Sequence, residues 1–143
     1  MPKFYTASKI WHAPRFKTIR EMGFDVQARW IDLEQDDPIV TDHKDQLWQL
    51  CFEDVRDSDF LLLYSGDESE EQRGALVELG MAYGMNKPVF AINRCRSLRA
   101  NDISDVAFTH HHLFTWLTSQ TLLQGVLEAH SLFQDMQKKE LVA

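Results

Sequence analysis

The run Phe60-Leu61-Leu62-Leu63-Tyr64 constrains this chain more than any other segment. Its residues are consecutively apolar, so no side of the segment is left for water. The run is the longest of its kind in the chain and far too short to span a bilayer. A strand covered on both faces fits it, and such strands belong to parallel sheets flanked by helices.

The rest of the chain follows that lead by alternation. Lys3 to Ala7 is a short β-rich run. A helix is expected from Ala13-Pro14 to Met22, with proline near its first position and Gly23 just past its end. Asp25 to Ile31 reads as a second strand and Asp32 to Asp42 as a polar loop. From Asp42 to Arg56 the apolar residues Leu47, Leu50, Cys51 and Val55 recur at helical spacing. After the Phe60–Tyr64 strand come a loop (Ser65 to Gln72), a helix (Gly74 to Tyr83, stopped by Gly84) and a strand (Val89 to Ile92). Asn93 to Thr109 is irregular, Leu113 to Trp116 is a fifth short strand, and Ser119 to Gln137 is a closing helix, after which the polar end is expected to fray. Five alternations predict a parallel sheet with helices on both faces and right-handed crossovers. Ligands of such sheets lie beyond the carboxyl ends of the strands, where the strand order reverses. Tyr5 to Lys9, Ser65 to Gly74 and the segment from Asn93 onward should converge there.

The length, 143 residues, suits one domain spanning residues 1–143. A net charge of −7 excludes a nucleic-acid polymer as the main partner, because the basic residues form no stripe able to displace counterions. Two cysteines, Cys51 and Cys95, make neither a disulfide framework nor a four-ligand zinc site. The amino terminus MPKFYTASKI lacks the apolar region of a signal peptide, so the expected location is cytoplasmic, away from membranes.

The segment with most chemical content is Arg73-Gly74-Ala75-Leu76-Val77-Glu78-Leu79-Gly80-Met81-Ala82. Gly74 leaves the backbone open to a ligand, and the free N–H groups of a helix start favour an anion. Glu78, about one turn in, is either a solvated helix residue or a site carboxylate expected to stay ionised. Asp57 and Asp59 both precede the central strand. Asp57 suits a helix end, while Asp59 opens the strand. His110-His111-His112 lacks a downstream ligand at metal spacing and reads as a solvated or capping cluster. Trp30 is either core or a surface for stacking a base, and Ser8, Lys9, Arg15 and Arg73 are either surface residues or contacts to sugar and phosphate.

The Arg73–Ala82 segment, with Lys87-Pro88-Val89 behind it, resembles the signature of the nucleoside 2-deoxyribosyltransferases and the related 2′-deoxynucleoside 5′-monophosphate N-hydrolases. Phe4-Tyr5-Thr6-Ala7-Ser8 and Ser58-Asp59-Phe60-Leu61-Leu62 fill the two other slots of that pattern in the right order, so the likeness covers residues 3 to 92. The resemblance implies a flavodoxin-like, three-layer fold with a five-stranded parallel sheet in the order 2-1-3-4-5. It implies chemistry at the N-glycosidic bond of a deoxynucleoside or its monophosphate. Glu78 would be the nucleophile at C1′, Asp59 would assist the leaving base, and Tyr5 would orient the glutamate. Ser8, Lys9, Trp30, Gln72, Arg73 and Gly74 would contact the substrate. No cofactor or metal is implied, and a homodimer or higher homo-oligomer is expected, with Met81, Met85, Leu123 and Leu127 as surplus apolar residues and 93–109 reaching a neighbouring site. The transferases carry an acid, and the hydrolases a serine, where this chain has Gln72. That departure leaves nucleoside and nucleotide, transfer and hydrolysis, all open. A non-catalytic nucleotide-binding module and a TIR-type hydrolase of a nicotinamide dinucleotide are the other readings.

Overall fold

The computed structural model describes residues 1–101 and 103–142. Five parallel strands, β1 (Lys3–Ala7), β2 (Asp25–Val26), β3 (Phe60–Tyr64), β4 (Val89–Ile92) and β5 (Phe114–Trp116), form one sheet in the order β2-β1-β3-β4-β5. Tyr5 pairs with Leu61, Leu61 with Val89 and Val89 with Phe114 across it. The helices are α1 (Ala13–Glu21), α2 (Pro38–Thr41), α3 (Lys44–Arg56), α4 (Arg73–Gly84) and α5 (Leu122–Val142). A groove shared by Ile19, Met22, Leu122 and Leu123 sets α1 and α5 side by side on one face, while α3 and α4 pack together on the other. All five residues of β3 are buried, as their unbroken apolarity requires.

Local chemistry sets most of the boundaries. Gly23, with φ +101°, ends α1 in the left-handed conformation that a Cβ disfavours. Asn86, with φ 57°, takes that role after α4, so Gly84 is the last helical residue rather than the stop. The ammonium of Lys87 reaches the carbonyls of Val55, Arg56 and Ser58, a cation at the negative end of α3. On the other face, α5 crosses so near β4 that a Cβ on Gly125 would lie 2.2 Å from Ile92 Cδ1.

Several boundaries differ from the sequence reading. Strand two is only Asp25–Val26, with Gln27 N still donating to Phe4 O at 2.8 Å; Arg29–Asp32 is a 3₁₀ turn. Asp54 causes the departure: its carboxylate accepts from Arg29 N at 2.8 Å and Arg29 Nε at 2.9 Å, pulling the chain off the sheet edge. Within the expected loop 32–42, Asp37 accepts from Ile39 N at 2.9 Å and starts the short α2 at Pro38. α5 begins at Leu122 and runs through the polar stretch expected to fray. Met81 and Met85 pack against the core and are not surplus, whereas Leu123 and Leu127 are exposed.

Candidate active site

Glu78 stands in the second turn of α4, with its side chain turned in under β1. It is buried, and among the described residues its hydrogen-bond partner is the phenol of Tyr5, which donates to Glu78 Oε2. Tyr5 comes from the middle of β1 and is fully buried. Strand one and helix four therefore meet at one carboxyl group, 73 positions apart in sequence.

The pair closes the floor of a cavity of about 240 Å³. Trp30 and Leu33 wall it from the 3₁₀ turn and the residue after it, and Val40 from α2. Lys44, Leu47, Trp48 and Cys51 form one face of α3, at spacings that a helix brings into line. Ser8 and Ile10 close it from the tail of β1. Little of this lining is free to choose a partner. Trp30 Nε1 donates to Thr6 O at 2.9 Å and Ser8 Oγ to Tyr64 O at 2.7 Å, so both side chains are fixed.

The electrostatics depart from expectation. Burial pushes the Glu78 carboxyl up to about 8, because a charged form there would lose its water with only one phenol in exchange. Burial thus biases toward its neutral form a glutamate expected to stay ionised. Burial also pushes the Cys51 thiol up to about 12, which disfavours the thiolate and slows its reactions.

The other sequence candidates divide. Trp30 and Ser8 join Tyr5 and Glu78 at the cavity. Asp59 does not. It opens β3 at the amino edge of the sheet, where its Oδ2 accepts from Lys3 N at 2.8 Å. The strand carries the chain away from it by about 3.3 Å per residue before the ligand edge is reached. Asp57 also lies outside the cavity, as the C-cap of α3 paired with Arg56. Gln72 is buried scaffold: its Nε2 donates to Tyr64 O at 3.1 Å and Glu70 Oε2 at 3.0 Å. Arg73 points to solvent beside Glu71. Lys9 lies over the Trp11 ring, 5.6 Å from its centroid. Gly74 is exposed next to Trp48, and a Cβ there would make only ordinary contact at 3.8 Å, so no close approach demands glycine. His111 stacks between Tyr83 and His112, and no group of three or more His, Cys, Asp or Glu able to hold a metal ion occurs among the described residues.

Sequence reasoning missed the α3 wall. Leu47 and Cys51 were visible as an apolar stripe, but such a stripe reads the same whether it faces a core or a cavity. The segment after β4 was expected at this site. It lines instead a second cavity of about 520 Å³ with Gly66, Asp67, Glu68, Asn93, Arg94 and Trp116–Gln120.

No protein-family model matches the chain, and no curated protein matches it in sequence. Solved structures do match. A 2-deoxyribosyltransferase from the psychrotolerant bacterium Bacillus psychrosaccharolyticus superposes with a TM-score of 0.59 at 14% identity, over 82% of this chain and 87% of that one. The CMP N-glycosidase of Clostridium botulinum superposes with a TM-score of 0.55 at 15% identity, over 92% of this chain and 98% of that one. At these identities the likeness is one of fold. Among the described residues no helix is long and apolar enough to cross a membrane.

Proposed function

We propose that this protein is an enzyme acting on the N-glycosidic bond of a nucleoside or nucleotide, with Glu78 as the nucleophile at C1′. One observation carries the reading: a desolvated carboxyl, held by a tyrosine phenol, at the floor of a cavity walled by two tryptophans. An acid perturbed by desolvation in a cleft is a candidate catalytic group. Two solved structures with this fold are named for glycosyl chemistry, one on deoxyribosyl transfer and one on CMP, which supports the same class here.

The chemistry runs in two steps. Glu78 first gives up its proton to solvent. A carboxylate oxygen then bonds to C1′ as the bond from C1′ to the base nitrogen breaks. The electron pair leaves with the base, which takes a proton from water. Tyr5 donates to the other carboxylate oxygen and holds the attacking one in place. In the second step water, or a second base, attacks C1′, the ester electrons return to Glu78, and the nucleophile's proton passes to solvent, from which the released carboxylate is reprotonated. Trp30 and Trp48 offer aromatic surfaces against which a base can lie. With Asp59 at the far edge, the cavity offers no second carboxylate among its lining residues, so departure of the base rests on water or on Lys44.

Incubation with a panel of deoxynucleosides, their monophosphates, ribonucleotides and NAD, followed by chromatography for free base, tests the reading. Base release from a nucleoside or nucleotide is expected. Cleavage of NAD alone, or binding without release, would replace it with one of the two other readings. The working form under this proposal is a two-fold homodimer, with exposed Leu123 and Leu127 of α5 as contact residues. Light scattering should give twice the 16.7 kDa of one chain, and a monomer mass at full activity would remove the dimer.

A further inference from the structure

The chain leaves the sheet in opposite directions after β1 and β3, toward α1 on one face and α4 on the other. Backbone pairing between the two strands ends at Ala7 and Leu63. Tyr5 belongs to the first strand and Glu78 to the helix that follows the third; α4 packs on both strands, and contacts between the diverging segments add to what sets the start of that helix.

A largely buried hydrogen-bonded pair does so, beside the bond from Ser8 Oγ to Tyr64 O. His12 Nε2 lies 2.8 Å from Glu70 Oε1, with side chains only 5% and 11% exposed. His12 ends the 3₁₀ turn Ile10–His12, whose first residue walls the cavity. Glu70 lies in the loop that leads into α4, and its other oxygen accepts from Gly66 N at 3.0 Å and from Gln72 Nε2 at 3.0 Å. The Gln72 amide also reaches Tyr64 O at 3.1 Å, at the end of β3. Gly66 is a fitted part: a Cβ there would lie 2.9 Å from both Glu70 Oε1 and His12 Cε1. The His12 ring stands edge-on to Tyr64 at 4.9 Å. Both side chains are largely buried and each contact is directional, so the pair fixes one arrangement of the two segments.

We infer that His12 and Glu70 are positioning residues, a latch across the β1/β3 crevice that sets the start of α4 and the Ser8–Ile10 wall so that Glu78 meets Tyr5 at the floor of the cavity. The catalytic part of this inference rests on the function proposed above; the geometric part does not. Glu70→Gln keeps the contacts when His12 takes the Nδ1–H tautomer, with the new carbonyl accepting from Gly66 and Gln72 and the new amide donating to His12 Nε2. Glu70→Ala loses them.

Two readouts test the latch. The first is the reaction of Cys51 with a chromogenic disulfide reagent in a Cys95→Ser background, which needs no substrate. Glu70→Ala, His12→Ala and Gly66→Ala should each speed labelling several-fold, Glu70→Gln should not, and the His12→Ala/Glu70→Ala double variant should react no faster than either single one. The second is turnover of whichever substrate the panel identifies. Glu70→Ala should lower kcat between about tenfold and a hundredfold with KM within about twofold, and Glu70→Gln should restore it. Circular dichroism selects the folded variants, and Gly66→Ala stands in for any that does not fold. Unchanged labelling and kcat in folded Glu70→Ala, or additive effects in the double variant, would overturn the latch. Faster labelling in a protein that cleaves nothing on the panel would uphold the latch and remove the proposed function.

Discussion

Two cavities open at the carboxyl edge of the sheet, and their sizes and chemistries run in opposite directions. The larger, about 520 Å³, has a lining in which several polar groups already have partners. Glu128 accepts from Thr118 N at 3.0 Å and Ser119 N at 3.0 Å, Asn93 Nδ2 donates to Ser65 O at 2.5 Å, and Arg94 pairs with Asp105. Asp67 takes Ser69 N and Oγ at 2.8 and 2.6 Å, which holds its carboxyl below the usual carboxylate range. The smaller, about 240 Å³, holds one carboxyl with one phenol and is otherwise mostly apolar. Volume is therefore a poor guide to chemistry. A polar group whose bonds are already made stabilises the loops around it; one kept short of partners, in a dry place, retains capacity for a reacting atom.

The sharpest way to break this comparison is Glu78→Gln. Turnover should fall by roughly 10³-fold or more, while stability moves the other way. The folded carboxyl, raised to about 8, stays protonated while the unfolded one, near its ordinary 4.5, ionises. The unfolded state thus binds fewer protons between those values, and the stability that the neutral acid contributes is present below pH 4.5 and is lost as pH rises toward 8. Glu78→Gln lacks this loss, so urea melts at pH 5 and pH 8 should show the variant gaining on the parent at the higher pH. An equal gap at both would mean that Glu78 is ionised in the fold.

A smaller effect is expected from Tyr5→Phe. A hydrogen bond to a charged group is worth about 1.5–3 kcal/mol, so kcat should drop by roughly ten- to a hundredfold. Without the phenol the ionised carboxylate is less favoured, so the acid limb of the kcat/KM profile should move to higher pH. A drop in kcat with an unmoved limb would limit Tyr5 to orienting Glu78.

The smallest effects should come from carboxylates outside the small cavity. Asp59→Asn and Glu128→Gln should each leave kcat within about twofold and lower stability by about 1 kcal/mol, the usual worth of a hydrogen bond. Loss of turnover in Asp59→Asn would return that residue to the reaction despite its place at the amino edge.

The chain alone determined the alternation of elements, because periodicity records which side of each segment is shielded from water. Phe60–Tyr64 could only be a strand covered on both faces, and the Gly23 stop was legible because a left-handed residue suits glycine. Tyr5 and Glu78 were legible as a pair only through family likeness, since no local rule links positions 73 apart. Tertiary structure decided the rest. It put Asp59 at the far edge, since a residue that opens a strand and one that ends it look equally adjacent in sequence but sit at opposite ends of the sheet. It also turned the α3 stripe into a cavity wall and, by burying Glu78, pushed its carboxyl toward the neutral form. A side chain's own periodicity says that it is buried, but its charge depends on what lies opposite, and only packing determines that.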